Sequence, residues 1–171
     1  MGNADREDLP KLSGERRAFV AGFEPAVSVE VEGLGPTLFC HGSPRSDEEI
    51  VTRATPDEVV AEMVEGVEER VIVIGHTHMQ FDRRVGDHRI ANAGSVGMPY
   101  EAQPGAYWAL LGPDVELRRT DYDLEEAARR MRATGAPEVE EFVAENVLKV
   151  PTAEEAIEVF ERQAGRAVRV P

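Results

Sequence analysis

Three of the four histidines in this 171-residue chain follow short apolar runs and stand among glycines: His41 in Phe39-Cys40-His41-Gly42, and His76 and His78 in Gly75-His76-Thr77-His78. A neutral imidazole donates readily to a divalent cation, and a glycine-containing loop at a strand end lets several donors meet in one cleft. If the backbone through Gly75–His78 is extended, side chains alternate with a period of two, so His76 and His78 point the same way and serve one metal or two neighbouring ones. Any one of these histidines alone is explained as well by a hydrogen bond to a carbonyl at a strand end. Together the three argue for a metal site. His88 follows the Gly86-Asp87 turn without glycines on both sides and is expected to be an exposed hairpin residue outside the site.

Other reactive side chains fit less well. Cys40 and His41 are neighbours that face opposite sides of a strand, which disfavours a Cys–His nucleophile pair and puts Cys40 in the core. Ser43 and Arg45 lie in the loop after His41, where they either reach phosphate oxygens, Arg45 through a bidentate pair, or simply cap the loop. Gly94-Ser95-Val96-Gly97 reads as a tight turn or as backbone amides brought close to the cleft. Tyr107 and Trp108 alternate within a strand-like run, as packing residues do.

The elements that must position these groups follow from periodicity. Val27–Glu32 and Thr37–Cys40 read as adjacent strands around Gly33-Leu34-Gly35-Pro36, and 70–74, 79–85, 88–92, 106–111 and 115–120 as further short strands. Thr55-Pro56-Asp57-Glu58 predicts a helix start with Thr55 as the cap, and Val59, Val60, Met63, Val64 and Val67 recur at helical spacing behind it. From Leu124 the pattern is helical to the end, and Thr152 and Glu155 form a capping box. A single domain spanning 1–171 is expected, its helices over 124–171 following a sheet-rich middle.

With 33 acidic against 19 basic residues, a formal charge of −14, the chain offers no broad surface for nucleic acid or anionic lipid. The apolar run Val71–Ile74 is far too short to cross a bilayer, and one cysteine allows no internal disulfide. A soluble cytoplasmic protein is expected.

Gly2-Asn3-Ala4-Asp5, then His41-Gly42, then Gly75-His76-Thr77-His78, with strands before the last two, resemble the later motifs of the calcineurin-like metallophosphoesterases. Asn92-Ala93-Gly94-Ser95-Val96-Gly97 and His41-Gly42-Ser43-Pro44 resemble segments of the small prokaryotic phosphodiesterase branch. The resemblance covers roughly Gly2 to Asp123. It implies an α/β (α+β) fold, a four-layer αββα sandwich, with a dinuclear metal site at the strand ends. By position, Asn3, His41 and His76 resemble the ligands of one ion and His78 a ligand of the other, the ions being manganese, iron, zinc or nickel. Asp5 either steadies a ligand or caps a helix. The implied activity is hydrolysis of small-molecule phosphodiesters or phosphomonoesters, with a water made acidic between cations about 3.5–4 Å apart.

Two departures qualify this. The family's Asp-Xaa-His and Gly-Asp motifs, the source of a bridging carboxylate, are not found, so the chain is expected to be N-terminally truncated and inactive by itself. Ala4 stands where many relatives carry a histidine, which weakens the case for acid assistance to the leaving group. Without covering strands, an apolar face or edge such as Val71–Ile74 is expected to be exposed and to drive self-association. The competing expectation is a non-enzymatic remnant that binds one metal, or only keeps the fold, and serves as an interaction module.

Overall fold

The computed structural model describes residues 1–167. Two short helices, α1 (Asn3–Asp8) and α2 (Gly14–Ala21), precede the strands β1 (Ala26–Val31) and β2 (Gly35–Cys40). Helix α3 (Asp57–Met63) leads to β3 (Val71–Ile74), β4 (Gln80–Val85) and β5 (His88–Ala93). A hairpin, β6 (Ala106–Leu111) and β7 (Val115–Thr120), is followed by helices α4 (Leu124–Arg132), α5 (Val139–Asn146) and α6 (Ala153–Gln163). No helix among the described residues is long and apolar enough to cross a membrane.

Five strands form one sheet in the order β1-β2-β3-β5-β4, with β2, β3 and β5 running parallel and β1 and β4 antiparallel at its edges. Central β3 alternates between two cores, as a period of two requires. Ile72 and Ile74 join Val60, Met63, Met79, Ile90 and Ala156 on the face covered by α3 and α6, whereas Val71 and Val73 meet Ala91 and Val115 on the face covered by the β6–β7 hairpin. The Gln80 side-chain amide ties that hairpin down by donating to the carbonyls of Ala93, Trp108 and Arg118. The result is a mixed α/β sandwich of two sheets with helices.

The exposure expected of Val71–Ile74 is not observed. Parallel pairing with β2 and β5 buries the strand on both sides, and Ile72 is 0% exposed. The apolar edge of the sheet is β1 instead, where Val27 and Val29 remain 45% and 46% exposed. The cap at Thr55 also differs. Helix α3 begins after Pro56 without a side-chain cap, because the Thr55 hydroxyl donates to the Glu161 carboxylate at 2.6 Å. The Thr152–Glu155 capping box of α6 forms as expected.

Glu161 fastens α6 to the rest of the molecule. It is 2% exposed and accepts from the hydroxyls of Thr52 and Thr55 and from Arg166, which also donates to the Ile50 carbonyl. Burial pushes the Glu161 carboxyl up, but the hydrogen bonds from Arg166, Thr52 and Thr55 outweigh it and hold the pKa below the usual carboxylate range. A carboxylate depressed in the folded state takes up its proton later than in the unfolded chain, so its stabilisation is complete above the ordinary carboxylate pKa and is lost as pH falls through the folded value. Glu161→Gln is therefore expected to cost about 3 kcal/mol at pH 7. Urea unfolding of both proteins should show the gap at pH 7 and its shrinkage as the pH is lowered toward the folded value.

Candidate metal centre

Because β2, β3 and β5 are parallel, their carboxyl ends lie along one rim of the sheet, the position where α/β sheets offer a crevice for ligands. His41 follows β2, Gly75–His78 follows β3, and Asn92 and Gly94 lie at the end of β5. The Gly75 amide donates to the His41 carbonyl at 2.7 Å, stitching the first two loops together.

Asn3 arrives from the other side. Its side-chain oxygen is 2.9 Å from Nε2 of His41. This approach needs Gly2, whose buried backbone lies so close to the His41 ring that a Cβ there would stand 2.9 Å from Nδ1 and Cε1. Asp5 is not itself the N-cap of α1, which is Gly2, and does not enter the cluster. It sits in the first turn of α1 and accepts from the Gly2 amide at 3.0 Å, which steadies the approach of Asn3.

The Gly75–His78 segment is not extended. His76 and His78 both adopt left-handed backbone, with φ of 63° and 55°, and the Thr77 amide donates to the Gly75 carbonyl across a tight three-residue turn. Alternation therefore does not orient the two rings. Such conformations cost about 1–3 kcal/mol each and persist where their surroundings over-determine them. Here the surroundings are two buried polar side chains. Asn92 donates to the Gly75 carbonyl at 2.7 Å and to Thr77 Oγ1 at 3.1 Å, while Thr77 Oγ1 donates to the Val51 carbonyl at 2.9 Å. The Asn92 oxygen accepts from the Gly94 amide, so that amide has partners on both its ends.

The rings of His41 and His76 lie 5.1 Å apart, centroid to centroid. His78 is turned from them onto Tyr100, stacked at 5.4 Å and 21° between planes, with Nδ1 2.8 Å from the Met98 carbonyl. A proton on Nδ1 satisfies that carbonyl and leaves Nε2 free to donate a lone pair. All three pKa values are depressed, chiefly by burial, and for His41 and His76 also by the other imidazoles. The rings are neutral near pH 7, the form a cation requires.

Donors each about 2.1 Å from one ion, at angles between right and tetrahedral, stand about 3.0–3.4 Å apart. The Asn3–His41 pair, at 2.9 Å, lies just below that spacing, at hydrogen-bond distance, and His76 is the next imidazole along the rim. No three His, Cys, Asp or Glu side chains among the described residues are grouped tightly enough to enclose an ion by themselves. Asn3 and His41 thus meet on the rim beside His76. Asp47, whose field reaches His41 and His76, is paired with Arg6, as is Glu48.

Ser43 and Arg45 are turned away from this cluster. The Ser43 hydroxyl donates to Glu49 and accepts from the amides of Arg45 and Ser46. Arg45 pairs with Glu49 and donates to the Glu62 carbonyl, so the guanidinium expected to greet a phosphate already has a carboxylate partner. Cys40 is half-buried, and burial pushes its thiol up to about 12, which keeps it protonated. His88 is half-buried with Nδ1 3.0 Å from the Glu69 carbonyl, less exposed than expected, and stands at the opposite end of β5 from Asn92.

Nothing in the sequence marked the Met98 carbonyl, Tyr100 or Phe160 as neighbours of the histidines. Phe160 belongs to the apolar stripe of α6, yet its ring lies 6.2 Å from His76 and 5.9 Å from Tyr100. Asn92 was recognisable as the head of Asn92-Ala93-Gly94-Ser95, though not as a clamp.

A model of the calcineurin-like phosphoesterase superfamily domain matches residues 1–112. The chain belongs to the calcineurin-like phosphoesterase superfamily. In solved structures, this superfamily member resembles a metallophosphoesterase from Sphaerobacter thermophilus, at 19% identity and a TM-score of 0.68, over 91% of this chain and 75% of that one. It also resembles a hypothetical protein from Pyrococcus horikoshii, at 18% identity and a TM-score of 0.65, over 82% of this chain and 57% of that one. These likenesses establish the shared fold, and the chain spans little more than half of the Pyrococcus protein. None of the curated proteins compared with the chain matches it. Membership supports a phosphoesterase-type function.

If Asn92 sets the histidine loop, Asn92→Ala should keep the fold by circular dichroism but weaken zinc binding about 10–100-fold, as loss of a partner behind a metal ligand does. Isothermal titration calorimetry measures it, and unchanged affinity would remove Asn92 from the account.

Proposed function

We propose that this protein is a divalent-metal-dependent phosphoesterase in which Asn3, His41 and His76 hold one ion and His78 belongs to a second. The observation that carries the reading is the meeting of Asn3 and His41 at 2.9 Å beside His76, from segments far apart in sequence, on the rim formed by three parallel strands. When bound, the cations would polarise a phosphate ester and acidify a water for in-line attack.

The chain's own residues hold and orient. Burial keeps the imidazoles unprotonated, the Met98 carbonyl selects the Nδ1–H tautomer of His78, and Gly2 allows Asn3 to reach His41. Ala4 brings no acid to the leaving group, so its proton comes from solvent and substrates with good leaving groups are favoured. Ser43 and Arg45 shape the loop behind His41 through Glu49 and are available to phosphate only if that pairing opens. A bridging carboxylate must be supplied from beyond this cluster. The metal is manganese, iron, zinc or nickel, and the substrate a small-molecule phosphodiester or phosphomonoester. A single cysteine, which can form no internal disulfide, suits a reducing compartment, and we assign the protein to the cytoplasm.

The lack of a carboxylate within the histidine cluster favours one other reading, an interaction module that keeps the fold with one ion or none. Manganese-dependent cleavage of bis-p-nitrophenyl phosphate separates the two, assayed on this chain and on a form extended by upstream codons. The phosphoesterase reading expects turnover in at least one of them, with His76→Ala lowering both rate and manganese affinity about a hundredfold or more. Ion binding without turnover in both forms would leave the interaction module.

A further inference from the structure

Tyr100 and Phe160 belong both to a run of rings that includes the histidines and to the lining of an apolar groove. Their rings continue the imidazoles, in the series His41, His76, Phe160, Tyr100, His78, with successive centroids 5.1, 6.2, 5.9 and 5.4 Å apart. They also line a groove of about 280 Å³ whose remaining surface includes Pro151, Ala156 and Val159 of the α6 segment. Most of that lining is apolar. Its one carboxylate, Glu155, is folded back onto the Thr152 amide and hydroxyl, where it completes the helix cap and is stabilised as the anion. Val159 is 50% exposed, so an apolar wall stands open to water within two aromatic rings of a polar cluster.

We infer that this groove receives the organic group of the phosphate ester, and that the group is an aromatic or compact aliphatic alcohol without charge of its own. The inference rests on the phosphoesterase reading, since it takes the histidine rim as the phosphate position. Three features select the occupant. Flat rings at Tyr100 and Phe160 favour a second ring stacked or edge-on. The groove offers a carboxylate already engaged and no Lys or Arg, so an additional phosphate or carboxylate on the substrate would meet no counter-charge, in a chain whose net charge is −14. Its size suits a single ring or a short branched chain, with the ester oxygen directed toward the histidines. Helix α6 thereby sets specificity, and the Glu161 latch that fixes α6 also fixes the groove wall.

The test compares phenyl phosphate with methyl phosphate on the full chain in the presence of manganese, each binding constant measured by isothermal titration calorimetry. Burying much of one ring should make phenyl phosphate bind about tenfold tighter. Val159→Glu, which adds charge to an exposed wall position and need not disturb the core, should bring phenyl phosphate down to the methyl phosphate level. Equal affinity of the two esters for the wild-type protein, or a phenyl preference that survives Val159→Glu, overturns the groove as the subsite while the phosphoesterase reading stands. If neither ester binds this chain or its upstream-extended form although manganese does, both fall.

Discussion

Asn92 supplies the constraint on which the rest of this site depends. A buried amide with no water to turn to must find protein partners, and it finds them in the Gly75 carbonyl, the Thr77 hydroxyl and the Gly94 amide. These bonds join the turn after β3 to the turn after β5. Freed from them, His76 and His78 would relax from a left-handed backbone that few non-glycine residues occupy, and their rings would leave the rim. Strain in the loop is thus balanced by hydrogen bonding in the interior, the usual economy of a binding site built on a rigid sheet.

The same rim shows how an acidic protein can address an anion. A chain with 33 carboxylates repels phosphate at long range, and its imidazoles, kept neutral by burial, add no charge of their own. On the phosphoesterase reading proposed above, attraction is local, from divalent cations held by amide and imidazole donors. Arg6 is spent on Asp47 and Glu48, and Arg45 is spent on Glu49. Removing those pairs from consideration leaves the Asn3–His41–His76 edge as the place where charge can be concentrated.

Much of this was legible in the sequence, for reasons that also explain the misses. Strands and helices were readable because burial of β3 on both faces leaves a short continuous apolar run, and the stripe of α6 a period of 3.6. The loops that carry His41, His76 and His78 were readable because glycines beside histidines mark the ends of strands. What failed was decided by partners distant in the chain. Thr55 looked like a helix cap until Glu161, 106 residues away, claimed its hydroxyl. His76 and His78 looked like alternating strand residues until Asn92 bent their backbone. Val71–Ile74 looked vulnerable because parallel pairing to β2 and β5 cannot be inferred from the strand itself. Tyr100 and Phe160 carried no mark of their nearness to the histidines, since an aromatic residue in an apolar stripe reads as core whichever side it serves.

Imidazole nitrogen resonances report directly on whether the donors act as one centre. In long-range proton–nitrogen spectra of the histidine rings, recorded while zinc is added at neutral pH, the account predicts that the Nε2 signals of His41 and His76 move together with a single midpoint while those of His88 stay fixed. Independent midpoints for His41 and His76, or no movement of either, would contradict a shared metal at the sheet rim.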